Sequence, residues 1–561
     1  MTVTEGPERS HRTSMGLSWT ADGRVVPSVK RRLVPLVVSS PRLSGWLATL
    51  GVTAVAGFLR VWNLGNPDNL MFDEQHYVKD SYSLWEHGYV LSMKATELDD
   101  TNQRIYDGDV ENLYKDTPSL IVHPELGKYL IGLGIRLFGL DAFGWRIASA
   151  VAGTLMVLVL IRLVRRMTGS TLLGCAAGVL LTFDGLQFVT SRLAILDIFL
   201  AFFLLSAIAC LVADRDWGRA RLATMVEPGT RVPRGGWGPV RGLRWRPWRL
   251  AAGVMFGLAL ASKWTAIYPM AIFGIWVVFQ DAGARHMLGV RFYWLKAAIA
   301  DGIPAFFYLV GAALVVYLAT WTGWLFHAHE YDKAFANTQY TSYWGDWTKN
   351  DPRGFWDSLT QGLRSLYHYH LAVYGFHDHG LIGSTHPYQS TAPGWPLVNQ
   401  PVGVNADSGI QPGDQGCAAA EGSTCLRQIT LIGTPVLWWV GAVAMVYAVY
   451  SWLGRRDWRF GVAVLGFAAT WFPWFPYSDR TIFYYYAVAM IPFTCIALAL
   501  TMGRLIGGPR SSYSKRATGT ALSGAFVVLV VANFAWFWPV LTDGLLTTSE
   551  WLDRIWFRRW I

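Results

Sequence analysis

Charge is what this chain has least of. Only 15% of its 561 residues are Asp, Glu, Lys or Arg, while 52% are hydrophobic and 15% aromatic. A soluble globular chain carries about a quarter charged residues, so the shortage excludes a solvated domain and points to a membrane protein. No apolar leader opens the sequence. Residues 1–40 are polar and basic (Arg9, Arg12, Lys30, Arg31, Arg32), which predicts an uncleaved cytoplasmic tail. Cysteine is scarce too, with five in all. Cys175, Cys210 and Cys495 fall in apolar runs and read as small core residues. Cys417 and Cys425 bracket a polar stretch in a long loop, and form a disulfide candidate if that loop faces an oxidising space. No HExxH frame or cysteine partner accompanies the histidines at 367–370, 377–379 and 386, so they read as stacking contacts to sugar or peptide and not as metal ligands. The net charge of +10 is spread through short loops, where it signals topology and not nucleic-acid binding.

What is abundant is apolar runs of spanning length. Eleven occur, near 44–63, 145–164, 171–188, 194–213, 249–262, 264–280, 301–320, 429–452, 460–476, 481–501 and 518–541. With the N-terminus inside, the cationic loops after the second, fourth, sixth, eighth and tenth runs all fall on the inner side. Arg554, Arg558 and Arg559 then lie outside, a mild conflict, because distal charges weigh less. The chain divides into a tail (1–43), a membrane region (44–320) with a first outer loop (64–144), a second outer loop (321–428) and a closing membrane region (429–561). Within the first loop, 77–89 and 126–140 read as interfacial helices. The acidic stretch 97–116 reads as a mobile loop, with its DGD at 107–109 merely solvated.

The residues that could carry chemistry gather at the outer face. FDEQHY (72–77) places Asp73 and Glu74 just past the first apolar run, where a carboxylate is costly unless solvated, paired or used. Asp73 is the candidate general base, and Glu74 the candidate to orient a hydroxyl. An ordinary solvated loop is the plain alternative. HPELGK (123–128) supplies His123 and Lys128, which could equally anchor at headgroups. Arg146, Arg192, Lys263 and Arg480 each sit where the topology puts the outer face, and a buried phosphate ester requires such a set of cations. Arg192 and Asp197 could instead neutralise one another. Asp184 could cap the following turn. Asp184, Asp197 and His386 are the supporting candidates.

Taken in order, FDE, HPELGK, SRLAILD (191–197), SKW and THPYQSTAPGWPL (385–397) resemble the protein O-mannosyltransferases of bacterial, actinobacterial type, from about residue 44 onward. The resemblance implies an all-α polytopic membrane protein of GT-C type, with about eleven transmembrane helices and two large extracytoplasmic loops. It implies inverting transfer of mannose from polyprenyl-phosphate-mannose to Ser or Thr of exported proteins, at the plasma membrane, with no resident cofactor or metal. Implied partners are membrane lipid, the lipid-linked donor, secreted or membrane protein acceptors and the secretion translocon, with no nucleic acid. The acidic pair maps onto Asp73 and Glu74, and the basic block onto His123, Pro124 and Lys128. Glu125 stands where the family often has proline, and an acid near the phosphate would oppose anion binding. The stretch 402–425 matches no family pattern, and the second loop is too short for the β-trefoil insert of eukaryotic relatives. Rival readings are a GT-C enzyme using another lipid-linked sugar or a glycolipid acceptor, and a polytopic transporter or flippase. The lack of internal repeats and the placement of acids in loops weigh against transport.

Overall fold

A run of apolar residues in lipid can satisfy its backbone only within itself, so each becomes a helix. The computed structural model describes residues 33, 42–94, 97–226, 231–233, 235–238, 245–335, 353–508 and 510–561. The predicted basic tail lies outside them except for Leu33, Arg42 and Leu43.

In chain order the main helices are α1 (Arg42–Val61), α2 (Glu74–His87), α3 (Leu126–Phe138), α4 (Ala142–Thr168), α5 (Thr171–Thr182), α6 (Gly185–Thr190), α7 (Asp197–Met225) and α8 (Pro247–Leu260). They continue with α9 (Ile267–Met287), α10 (Tyr293–Ala319), α11 (Phe355–Gly375), α12 (Pro435–Leu453), α13 (Trp458–Trp471), α14 (Ile491–Ile506) and α15 (Tyr513–Leu541). Each of the eleven apolar runs contains helix, although 429–431 pair as a strand and 481–490 are extended chain and a 3-10 turn ahead of α14. By length and composition seven of the helices can cross a membrane: α1, α4, α7, α9 with its preceding turn, α10, α12 and α15. The shorter α5, α8 and α14 are apolar as well. The buried centre is α4 with α7, against which α1, α5, α6 and α8 pack. At the periphery α10 leans mainly on α8 and is wound partly in wide π-turns, at Ala298–Gly302 and Phe307–Gly311.

Charges mark the two ends of the bundle. Asp197 opens α7 and Asp214 follows 17 residues later, a rise of about 26 Å. Around Asp214 three arginines are matched by carboxylates, while among the described residues Arg219 reaches only the Gln280 side chain, at 3.4 Å. Arg246 and Arg249 reach it at 2.6 and 2.9 Å, Arg249 also reaches Asp281 at 2.8 Å, and Arg285 holds Asp301 at 2.7 Å.

The opposite end carries the two long connections. The first is ordered where mobility was expected. A short helix, Leu98–Tyr106, and the antiparallel pair β1 (Leu91–Met93) and β2 (Tyr114–Pro118) shape residues 97–118. Asp109 of the DGD triplet is bonded by Arg104 and Asn112, both at 3.1 Å. The second connection holds strands that the sequence reading missed. β3 (Val402–Ile410), β4 (Cys425–Leu431) and β5 (Leu546–Thr547) form an antiparallel sheet in the order β3-β4-β5. Val402, Val404, Ile429 and Leu431 are buried beneath it, and Cys417 and Cys425 form a disulfide that closes the hairpin.

Candidate active site

The site begins with the turn that leaves α1. Two arginines hold it. Arg192 donates to the carbonyls of Leu59, Arg60, Trp62 and Asn63 at 2.6 to 3.3 Å. Arg146 donates to those of Leu64, Pro67 and Asn69 at 2.6 to 3.3 Å, and to both oxygens of Glu74 at 2.9 Å. Glu74 also accepts from the backbone N–H groups of Met71, at 3.0 Å, and Ala194, at 2.8 Å. Glu74, Arg146 and Arg192 are all buried. A buried fork–fork pair with its remaining donors on carbonyls fixes backbone and leaves nothing for a ligand. Three sequence assignments are therefore corrected. Arg146 is not a phosphate cation but a clamp on the turn, Arg192 spends both terminal nitrogens on the same turn, and Glu74 is not free to orient a hydroxyl. Arg192 and Asp197 do not neutralise one another either.

The clamp forces Phe72 into the left-handed region, φ 50°, a conformation that a bulky residue keeps only when its surroundings hold it. The next residue is Asp73. Its carboxylate, at the head of α2, accepts a hydrogen bond from the Tyr485 hydroxyl at 3.1 Å and a longer one from Tyr77 at 3.5 Å. No cation is paired with it among the described residues. Lys263, the cation that acts on it most, spends its ammonium on Asp197, at 2.8 and 2.9 Å. Burial raises the Asp73 pKa above the usual carboxylate value, against the pull of Lys263.

Lys263, whose charge acts on Asp73, lines a cavity of about 600 Å³. Its polar end is formed by His123, Lys263, His377, Arg480 and Tyr486, and its apolar rim includes Ile267 of α9 and Leu314 of α10, both exposed. Arg480 donates to the His377 carbonyl at 2.9 Å, its Nε is buried without a partner, and no carboxylate pairs with it among the described residues. His377 contacts the Val122 carbonyl at 2.9 Å and its ring stacks on His123 at 5.3 Å. Burial holds the His123 pKa well below the ordinary histidine value, so its ring is neutral. Lys263 lies 4.4 Å over the Tyr486 ring. Along one wall Trp264 donates to the Tyr317 hydroxyl at 2.8 Å, which meets His370 at 2.6 Å.

Of the predicted residues, the structure gathers Asp73, His123, Lys263 and Arg480, with Asp197 supporting Lys263. His386 packs edge-on against Phe72, centroids 6.3 Å apart, one residue from Asp73. Lys128 is elsewhere, paired with Asp80 at 2.7 Å and buried, so it is neither a headgroup anchor nor a donor-phosphate ligand. Asp184 caps α6 through the Gln187 N–H at 2.9 Å and accepts from Trp438 at 2.7 Å, tying α6 to α12. Glu125 does not face the cavity. It is fully buried, both oxygens lack a partner, and desolvation raises its pKa to about 8, so it carries no charge to oppose an anion at neutral pH. Among the described residues no group of three or more His, Cys, Asp or Glu is arranged to hold a metal. Tyr485, Tyr486 and Tyr317 were missed. The tyrosine run of PYSDRTIFYYY was the available signal, read instead as part of a spanning helix.

Comparison with known proteins bears on this arrangement. Residues 363–560 match the family described as the C-terminal four TMM region of protein-O-mannosyltransferase, and residues 122–222 match dolichyl-phosphate-mannose-protein mannosyltransferase. The chain is 35% identical over 547 residues to the polyprenol-phosphate-mannose–protein mannosyltransferase of Mycobacterium tuberculosis, with 96% of each covered. It is 31% identical over 517 residues to the one of Corynebacterium glutamicum, with 91% of each covered. In fold it is similar to a solved structure of the Saccharomyces cerevisiae Pmt1–Pmt2 complex bound to the sugar donor, at a TM-score of 0.64 and 14% identity, covering 99% of this chain and 97% of that one.

Proposed function

The chain belongs to the protein O-mannosyltransferase family, and from that premise we propose that Asp73 is the general base and that the cavity lined by Lys263 receives the lipid-linked donor. The enzyme is a multi-pass membrane glycosyltransferase that moves mannose from polyprenyl-phosphate-mannose to protein hydroxyls. One observation carries the assignment of roles: among the described residues Asp73 is a carboxylate without a cation of its own, next to Lys263 and Tyr486, and these two line a cavity whose polar end holds an arginine without a carboxylate of its own.

A serine hydroxyl attacks poorly unless its proton is removed as the new bond forms. Asp73, held in place by Tyr485 and Tyr77 and made more basic by burial, takes that proton. The hydroxyl oxygen bonds to the anomeric carbon while the bond from that carbon to the phosphate oxygen breaks, inverting the centre through an oxocarbenium-like state. The polyprenyl phosphate leaves with the electron pair and needs no proton if its charge is met. Among the described residues Arg480 is a cation at the cavity with no carboxylate partner, and it meets that charge. Lys263 contributes from its pair with Asp197, and neutral His123 contributes as a hydrogen-bond donor. A base and a neutralised leaving group complete the step, so it calls for no resident metal or cofactor.

The Asp73 end is assigned to the extracytoplasmic face of the plasma membrane, with the N-terminus inside. Two features support this. The arginine-rich end satisfies the positive-inside rule, and the Cys417–Cys425 disulfide suits an oxidising space. The test is transfer of labelled mannose from polyprenyl-phosphate-mannose to a Ser/Thr-rich peptide by membranes carrying Asp73→Asn. Loss of transfer with normal expression is expected, and near wild-type transfer rejects the assignment.

A further inference from the structure

The hairpin that resembled nothing in the sequence has an open side. In the sheet order β3-β4-β5, β3 is an edge strand, and among the described residues no backbone group pairs with its outer edge. Every second N–H and C=O of such an edge points away from the partner strand and is available to another extended chain. The exposed part, Ala406 to Gly409, reads Ala-Asp-Ser-Gly, with no bulky or cationic side chain to screen it. Irregularities at Gly403/Asn405 and Ser408/Ile410 limit the regular edge to a few residues, which favours brief pairing over permanent association. The disulfide and the pairing of β4 with β5 hold the strand in place.

The edge is tied to the catalytic turn. Asn405 of β3 accepts from the Asn69 amide at 3.1 Å and donates to Asp543 at 3.2 Å. At Gly403 the strand lies so close to Tyr388 that a Cβ would stand 2.7 Å from its hydroxyl, and Tyr388 adjoins His386, which packs on Phe72. Asn69 precedes Asp73 by four residues, at most about 14 Å of extended chain. With about 8 Å more for the Asn405–Asn69 side-chain contact and about 5 Å for the spacing of an added strand, a polypeptide lying along β3 reaches Asp73 within about eight residues. It arrives past Phe72 and His386, whereas the donor cavity adjoins Asp73 through Lys263 and His123.

We propose that the outer edge of β3 docks the acceptor polypeptide, taken as an added antiparallel or parallel strand that delivers a Ser or Thr hydroxyl to Asp73. Recognition of this kind draws affinity from main-chain hydrogen bonds and asks little of sequence, as suits an enzyme with many acceptors. The proposal rests on the reading of the chain as a protein mannosyltransferase.

Single backbone N-methyl groups, moved residue by residue along a Ser-containing acceptor peptide, test it on the full-length enzyme with polyprenyl-phosphate-mannose as donor. The expected pattern has a period of two. Alternate methyls about eight or more residues from the serine raise the peptide KM about ten-fold each, while those between have little effect and the donor KM is unchanged. A flat or non-alternating profile overturns the proposal. Asp407→Pro and Ser408→Pro supply a second reading, because adjacent positions point to opposite edges. The variant that keeps the disulfide and thermal stability should still show a raised peptide KM, and an unchanged KM in that variant overturns the proposal. An edge that instead pairs with a second copy would give a dimer sensitive to proline with peptide KM unaltered, which also overturns it. If the wild-type enzyme labels no peptide at all, the functional reading itself fails.

Discussion

The two ends of this bundle use charge in opposite ways. At the arginine-rich end Asp214, Asp281 and Asp301 face Arg246, Arg249 and Arg285 within hydrogen-bond distance, and each charge is cancelled. At the other end the charges are deliberately mismatched. Among the described residues Glu74 and Arg146 cancel, as do Asp197 and Lys263, and Arg192 is spent on carbonyls, but Asp73 and Arg480 are left without an ion-pair partner. A cancelled pair stabilises position. An uncancelled charge, held by neighbours that are themselves cancelled, can act on a substrate.

The comparison breaks most sharply at Asp73. Asp73→Asn should lower transfer by about 10² to 10⁴, the usual worth of a positioned general base, with the melting temperature in detergent almost unmoved. At the opposite end the pattern should reverse. Arg249→Leu leaves Asp214 to Arg246 alone and takes from Asp281 its shortest ion pair, and should cost about 1–3 kcal/mol of stability, while the protein that remains folded keeps its donor KM. Arg480→Ala should do the converse, raising donor KM about 10- to 100-fold, the worth of a charge-assisted contact, with peptide KM and stability little changed. A donor KM that rises for Arg249→Leu and not for Arg480→Ala would reverse the assignment of the two ends.

Smaller effects sharpen the picture. Asp73 must be ionised to accept a proton, and its pKa is raised by burial and lowered by Lys263. The acid limb of kcat/KM should therefore lie above the ordinary carboxylate range, and Lys263→Met should move it to still higher pH. A shift toward lower pH would contradict the geometry. Smallest is the effect of Glu125. Its folded-state pKa of about 8 exceeds the ordinary 4.5, so the native state holds a proton that the unfolded chain releases. The stability linked to that proton is fully present below about 4.5 and is lost as pH rises through about 8. Glu125→Gln should flatten that decline, with the gain over wild type larger at pH 9 than at pH 5.

How much of this the sequence disclosed depends on the kind of contact. Helices were legible because an apolar run in lipid has one way to satisfy its backbone, and Asp73 was legible because an acid there needs a reason. The role of Glu74 was not, since its partner Arg146 lies 72 positions away and a pairing at that distance leaves no periodic trace. Arg146 and Arg192 looked the same in sequence as Arg480. What separates them is how many backbone carbonyls have claimed the guanidinium, three for Arg146 and four for Arg192 against one for Arg480, a fact of the fold alone. β3 stayed hidden because VGVNADSGI is rich in residues that strands avoid, and its disulfide and the distant β5 make up the difference.

The cavity rim carries one more consequence. Ile267 and Leu314 are exposed apolar side chains on helices of spanning length, so the mouth they border suits the hydrocarbon chain of a lipid-linked donor. Supply of the carrier is then a two-dimensional encounter, and occupancy follows the mole fraction of carrier among the surrounding lipids. Dilution of the protein in buffer leaves turnover unaltered, while enlargement of the bilayer around a fixed amount of carrier slows it.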